Sequence, residues 1–447
     1  MHPSKTLTVD GDAPEPVTKL AVSTPLNKVP AQVFDLANSL VHLDLSGSSL
    51  STLPDSFKCL RKLRIAFFSN CSFDVFPEQL ALCPELEMVA FRNNGMTRIP
   101  EGALPPRLRW LILTNNRIET IPKSIGKCSY LQKCMLSGNR LTHLPEEMVS
   151  CRSLALLRLS ANCIEQLPSW LFDLPELAFL SFAGNPASVA TTSQLETAMS
   201  TLAEVSLKDL ELQELLGEGA SGIISKAHWN TADEARQVAV KLFKGNVTSD
   251  GTPQDEMQAC IMAGSHANLI NTLGKICDHP DRDGLIMELV PNDFVALGLP
   301  PSLQSCTRDC FTPGTRLTAV QGLNILQGVA SAAEHLHVRG VAHGDLYAHN
   351  ILVNREGVAL LGDLGAASIY GQGCKMEQLE VLAFAHLIED VWNLIRVRMD
   401  EGELGVLMQL AGLHRRCSLP IGSERPAFLE IQQSLHKMDR QLKKIPA

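Results

Sequence analysis

The sequence predicts an α/β repeat solenoid followed by a separate α+β domain, and three observations carry that expectation. Leucines at Leu40, Leu63, Leu86, Leu108, Leu131, Leu154 and Leu177 recur at intervals of 22 or 23 residues. That register is lost in SVATTSQLETAMSTLAEVSL, residues 188–207. Beyond it the chain changes character: residues 1–207 hold 18 basic and 19 acidic side chains, residues 208–447 hold 21 and 29. A chain of 447 residues is in any case too long for one compact domain. Its 45% apolar and 19% charged content is ordinary for a folded protein and too apolar for a disordered one. The net charge of −9 speaks against a general nucleic-acid binder, which is usually basic.

In chain order, residues 1–25 read as a loose polar tail, 26–187 as repeats, 188–207 as a linker and 208–441 as the second domain. The start has no apolar core, so no export leader is expected. No run of 18 apolar residues is present, and no membrane span is expected. The 13 cysteines are scattered without a C-x-x-C pair, which suits reduced thiols and a cytoplasmic location. Cys306 and Cys310 lack further ligands and make a poor metal site.

The repeat unit reads L-x-x-L-x-L-x-x-N-x-L-x-x-L-P, as in Leu108, Leu111, Leu113, Asn116, Ile118, Ile121 and Pro122. Apolar positions point into one elongated core. The ninth position is Asn94, Asn116, Asn139, Asn162 and Asn185 in five units. A buried amide there can bond backbone groups that the ending strand leaves orphaned. Ser48 and Cys71 hold that position in the first two units, so the N-terminal rungs should be weaker. A partial unit (Leu26, Val29, Pro30, Val33, Phe34) is expected to cap the exposed edge. The pattern resembles leucine-rich repeats of the short intracellular type. Strand positions facing outward put Ile65, Phe67, Met88, Trp110, Ile112, Met135, Leu156 and Phe179 on the concave face. Such an apolar run is expected to bind a protein partner, with Trp110 as anchor; the alternatives are that the face packs on the chain's own second half or that the register is off by one.

The second domain opens with Leu216-Gly-Glu-Gly-Ala-Ser-Gly222, a G-x-G-x-x-G string. A dinucleotide site would follow it with a helix. Here Ile223-Ile-Ser-Lys-Ala-His-Trp alternates like a strand, so the glycines mark a hairpin tip. Glycines let backbone N–H groups approach phosphates without a Cβ clash. Val238-Ala-Val-Lys241 is a second strand ending in a cation. Asp255–Ala263 reads as a helix whose Glu256 can reach Lys241, and Leu285–Val290 as a buried strand. A long helix follows, about Leu317 to Val338. Then come His343-Gly-Asp-Leu-Tyr-Ala-His-Asn350 and Leu360-Leu-Gly-Asp-Leu-Gly365.

Taken in this order, the motifs resemble a two-lobed protein kinase domain over residues about 209–440. The resemblance implies ATP and Mg²⁺ as cofactors. It implies that Leu216, Gly217, Glu218, Gly219, Ala220, Ser221, Gly222, Ile224 and Ala239 enclose the nucleotide. Lys241 would hold the α/β-phosphates and pair with Glu256, while the main chain of Glu288 and Val290 would bond adenine. Asp345 would take the substrate hydroxyl proton, and Asn350 and Asp363 would hold the metal. The expected activity is γ-phosphoryl transfer to a Ser/Thr hydroxyl of a protein, with the repeats as binding module. The alternatives are a nucleotide-binding scaffold that does not turn over and a small-molecule phosphotransferase.

Four departures bear on mechanism. Gly344 stands where an arginine usually receives an activating phosphate. Tyr347 replaces a lysine that commonly meets the γ-phosphate. Leu364 makes the metal motif Asp-Leu-Gly. The segment after Asp363 is short, with a helix expected near Glu377 and no Ala-Pro-Glu before it, so the peptide-docking shelf is trimmed. Glu380 also replaces an aspartate that usually braces the catalytic loop. A constitutively competent enzyme is expected.

Overall fold

The computed structural model describes residues 17–22, 25–188, 198–200, 202–219, 221–231, 235–245, 247–371, 373–396 and 401–444. The chain divides into two compact units, residues 1–176 and 177–447. Most of the expected tail, part of the expected linker and Ala220 lie outside the described residues.

In the first unit each repeat contributes one three-residue strand. These are β1 (Lys19–Ala21), β2 (His42–Asp44), β3 (Ile65–Phe67), β4 (Met88–Ala90), β5 (Trp110–Ile112), β6 (Lys133–Met135) and β7 (Leu156–Arg158), with α1 (Gln32–Asp35) after β1. All pair in parallel and in register. The repeat leucines Leu40, Leu63, Leu86, Leu108, Leu131 and Leu154 are fully buried. Pro54, Pro77, Pro122, Pro145 and Pro168 stand in extended conformation, and a short 3₁₀ turn follows each, as at Pro122 before Lys123–Lys127. The first strand was not expected. Lys19–Ala21 falls in the stretch read as a tail, yet it pairs with β2.

The asparagine rungs are built as the repeat pattern predicts. Asn116 Nδ2 donates to Phe91 O (2.8 Å) and Leu113 O (2.9 Å), and its Oδ1 accepts from Met96 N (2.9 Å). Asn139 and Asn162 repeat the arrangement one and two units on. In the second repeat Cys71 offers weak Sγ contacts to Leu45 O (3.4 Å) and Ser69 O (3.7 Å), and in the first the Ser48 hydroxyl is buried without a partner. The residue before each rung sits at positive φ in every repeat: Gly47, Asn70, Asn93, Asn115, Gly138, Ala161 and Gly184.

The concave face corrects the expectation of an exposed apolar run. Met88, Met135, Leu156 and Phe179 are buried, and Ile65, Phe67, Trp110 and Ile112 are half-buried. Part of the reason is registry, since strands held in line make outward side chains shield one another. Met88 lies between Ile65 and Trp110, and Lys133 Nζ sits 4.5 Å over the Trp110 ring.

The second unit begins with β8 (Phe179–Ser181). Its small lobe is a six-stranded sheet of β9 (Ala203–Val205), β10 (Leu210–Glu218), β11 (Gly222–Asn230), β12 (Ala235–Phe243), β13 (Thr272–Ile276) and β14 (Gly284–Glu288). The order is β10-β11-β12-β14-β13-β9. The stretch read as linker therefore supplies an edge strand, β9, parallel to β13. Val205, Ala227, Trp229, Val238, Val240, Ile276 and Ile286 form this lobe's core. Helix α2 (Pro253–Ala263) crosses the sheet. Thr252 caps it reciprocally with Asp255, and Pro253 occupies its first turn.

The large lobe holds β15 (Val295–Ala296), α3 (Ala319–Val338), β16 (Val341–Ala342), β17 (Ile351–Val353), β18 (Ala359–Leu361), β19 (Ser368–Ile369), α4 (Met376–Leu394), α5 (Glu401–Cys417) and α6 (Phe428–Leu442). β17 pairs with β18, and β16 with β19, so the catalytic loop and the segment after Asp363 share short ladders. Among the described residues no helix is long and apolar enough to cross a membrane.

Candidate active site

A cleft of about 730 Å³ lies in the second unit. The glycine hairpin roofs it. β10 and β11 pair antiparallel as far as Glu218 and Ile223, and Gly219 N bonds Gly222 O across the tip (2.9 Å). Gly217 and Gly219 have open space where a Cβ would stand, whereas a Cβ on Gly222 would lie 2.8 Å from Leu242 O. The hairpin therefore leaves open space over the cleft while its far strand is packed tight. Leu216, Gly219, Ser221, Gly222, Ile224 and Ala239 line the cleft, as do Glu288 and Val290 at the far side.

Lys241 and Glu256 form a buried ion pair between β12 and α2. Alternation along β12 sends Val240 into the sheet core and Lys241 into the cleft. Burial opposes the ammonium charge, but the carboxylates of Glu256 and then Asp363 outweigh it and hold the Lys241 pKa above its ordinary value. Asp363 lines the same cleft at φ 55, and its Oδ1 accepts from Gly365 N (3.2 Å).

The catalytic-loop residues are tied together below. Asn350 Nδ2 donates to Asp345 O (2.9 Å) and Asp345 Oδ2 (3.0 Å). That leaves the amide oxygen of Asn350 as the atom able to meet a cation. Asn350 O accepts from Gly362 N (3.0 Å), which links it to the strand leading into Asp363. Asp345 and Asn350 are not among the residues lining the cleft itself.

Besides Glu380, which the sequence reading named as a brace, several supporting residues escaped it. His343 is fully buried; its Nδ1 accepts from Asp345 N (3.3 Å), so its Nε2–H donates to Gly362 O (2.8 Å). Glu380 accepts the Gly344 N–H. Burial pushes the Glu380 carboxyl up, but bonds from His337 and Gly344 outweigh this and hold it below the usual range. His337 Nε2 lies 2.8 Å from Glu380 and its Nδ1 meets the Tyr370 hydroxyl (2.8 Å). Asp309 holds His349 through both Nδ1 (2.7 Å) and the backbone N–H (3.0 Å). The replacement of aspartate by the longer Glu380 was the one visible signal for this shell.

Gly344 explains one departure. Its φ is 72, and a Cβ there would strike Ala366 O and lie 2.8 Å from Leu180 O. No arginine fits. Tyr347 is buried as well, its ring stacked on Phe179 at 3.9 Å and 10°. Phe179, expected on an open binding face, is 1% exposed.

Comparison with known proteins agrees with this architecture. The family described as protein tyrosine and serine/threonine kinase matches residues 210–381. Leucine-rich-repeat families match residues 39–60, 106–162 and 129–186. The chain thus carries leucine-rich repeats followed by a protein kinase domain. A neurotrophin receptor of Lymnaea stagnalis is 32% identical over 171 residues, 36% of this chain and 21% of that protein. Cyclin-dependent kinase 11.1 of Caenorhabditis elegans is 26% identical over 173 residues, 38% and 22% of the two chains. An L-type lectin-domain containing receptor kinase of Arabidopsis thaliana is 30% identical over 169 residues, 37% and 31%. The matched stretch spans a fifth to a third of these relatives' own length.

Proposed function

We propose that the chain is an ATP- and Mg²⁺-dependent protein kinase that transfers the γ-phosphoryl group to a Ser/Thr hydroxyl. The observation that carries this reading is the convergence of the Lys241–Glu256 ion pair and Asp363 on one cleft beneath a glycine hairpin. The donor set fits a metal-chelated nucleotide: the Asp363 carboxylate, the Asn350 amide oxygen and one ammonium with its charge secured. Bound Mg²⁺ would neutralise the phosphates' charge, held by Asp363 and the Asn350 oxygen. Lys241 holds the α/β-phosphates, and the main chain of Glu288 and Val290 orients adenine. Asp345 accepts the hydroxyl proton, its carboxylate aimed by Asn350 Nδ2. There is little covalent work beyond this, so catalysis is positioning and charge.

The leucine-rich repeats serve as the protein-binding module, with Trp110 and its half-buried neighbours Ile65, Phe67 and Ile112 as the contact. The thirteen cysteines form no disulfide, which fits a reducing cytoplasmic compartment. The short segment between Asp363 and α4 favours a second reading, a phosphotransferase acting on small molecules. Incubation of the chain with labelled Mg-ATP, alone and with mixed Ser/Thr peptides, separates these. Asp345→Asn should lower transfer by about a thousandfold or more at unchanged ATP affinity. Equal transfer in the variant removes Asp345 from the mechanism. Nucleotide binding with no transfer in either protein leaves a scaffold.

A further inference from the structure

The segment from β8 to Ser188 lies against the catalytic loop, β19 and helix α2. Phe179 stacks face to face on Tyr347, two residues from Asp345. Leu180 O lies against Gly344. Phe182 N donates to Ser368 Oγ (2.8 Å), and the Ser188 hydroxyl donates to Ile369 O (2.9 Å), both on β19 just after Asp363. At Gly184, φ 70, the backbone comes so near α2 that a Cβ would lie 2.6 Å from Asp255 Oδ2, the capping carboxylate beside Glu256.

We propose that this strap, residues 179–188, stands in for the trimmed segment after Asp363: it holds the catalytic loop, the Asp363 strand and the Glu256 helix in one arrangement, with Phe179 as the positioning residue. The inference rests on the phosphotransferase reading above. The physical need for such a strap is plain. Between Asp363 and α4 the described residues offer only a 3₁₀ turn and the two-residue β19, too little to cover the flank of the catalytic loop. Without a lysine at 347 that flank is aromatic, and it needs an apolar cover. The strap supplies a ring for Tyr347, a hydroxyl and an N–H for β19, and a glycine for the helix cap. Both rings are shielded from water, 1% and 6% exposed, so the stack has one geometry. Phe179 acts through Tyr347 on where Asp345 stands and touches no reactant itself.

The test uses the full chain with Mg-ATP, following labelled phosphate released or transferred, beside nucleotide affinity. Phe179→Ala should lower kcat by about tenfold to a hundredfold with the KM for ATP within about threefold, the split expected when reacting groups are misplaced but the nucleotide site is intact. Phe179→Tyr keeps the stack and should restore kcat. Ser188→Ala, which opens no core cavity, should lower kcat by about threefold at unchanged KM. Unchanged kcat in Phe179→Ala overturns the inference. So does loss of kcat and ATP affinity together, or failure of Phe179→Tyr to restore, since general support of the fold would then suffice. If Phe179→Ala does not fold, Ser188→Ala decides, and an unchanged kcat there overturns the inference. If the unaltered chain transfers nothing, the phosphotransferase reading fails and takes this one with it; if it transfers and the strap variants match it, only this one fails.

Discussion

At the scale of single residues, charge is placed where the fold can tolerate it. Arg308 reaches from the loop before α3 to three groups on α4: Glu389 (2.7 Å), Asp390 (2.6 Å) and His386 Nδ1 (3.2 Å). An imidazole that accepts from a guanidinium is neutral at that nitrogen. Burial and then the Arg308 charge push the His386 pKa down to about 3 from its ordinary 6.5. Below pH 6.5 the unfolded chain takes up a proton that the folded chain refuses until about pH 3, so this residue costs stability as pH falls through that window. Asp390 works the other way: burial lifts it to about 6, so the folded form gains relative stability between pH 6 and its ordinary 3.8. His386→Gln should therefore flatten the acid loss of the thermal midpoint between pH 6.5 and 4 relative to the unaltered chain. A curve parallel to the original would refute the assignment. At this scale the sequence was most readable where motif and neighbour lie close together, as with Lys241, Asn350 and Asp363. It marked Tyr347 as a replacement but not what holds it, because nothing local to that position names Phe179 as its partner.

Among the elements, the repeats were legible because a period of 22 or 23 residues is written six times over, and each rung is bonded within its own neighbours. Strands with little apolar content were not. In β1 only Leu20 is buried, and in β9 only Val205. Such three-residue edges are recruited by an open neighbouring strand rather than by their own side chains. The expected exposure of the concave face failed for a related reason: alternation tells which way a side chain points, not what covers it. The positive-φ residue before each rung gives a test at this scale. Glycine or asparagine holds that position in six repeats, and Ala161 holds it at φ 54 in the other. A left-handed conformation costs a residue with a Cβ about 1–2 kcal/mol. Ala161→Gly should then stabilise the repeats by about 1 kcal/mol after the glycine's own entropy is deducted. Chemical unfolding followed at Trp110 would show the shift in midpoint; no shift would mean the turn carries no strain.

For the whole molecule, the sequence placed the start of the second domain near residue 208, whereas the compact unit begins at Leu177. The added residues include β8, β9 and the stretch where Ala198 and Leu202 pack beside Phe243, Met257, Ile261 and Leu285. A fragment of residues 177–447 should fold and bind Mg-ATP. A fragment of residues 208–447 should melt roughly 10 °C lower or be recovered insoluble, as expected if several kcal/mol of edge pairing and apolar cover are removed. Thermal scanning of the two fragments checks this, and coincident midpoints would contradict it.

The strap also fixes an order of events during synthesis. Residues 179–188 leave the ribosome long before Gly344, Tyr347 and Ser368 exist. The early part of the chain folds as a unit while the rest is still being made. The catalytic loop therefore meets a strap made well before it, across a wide sequence separation that slows such contacts. Until that docking is done, the glycine hairpin and Lys241 stand without the loop that completes the site.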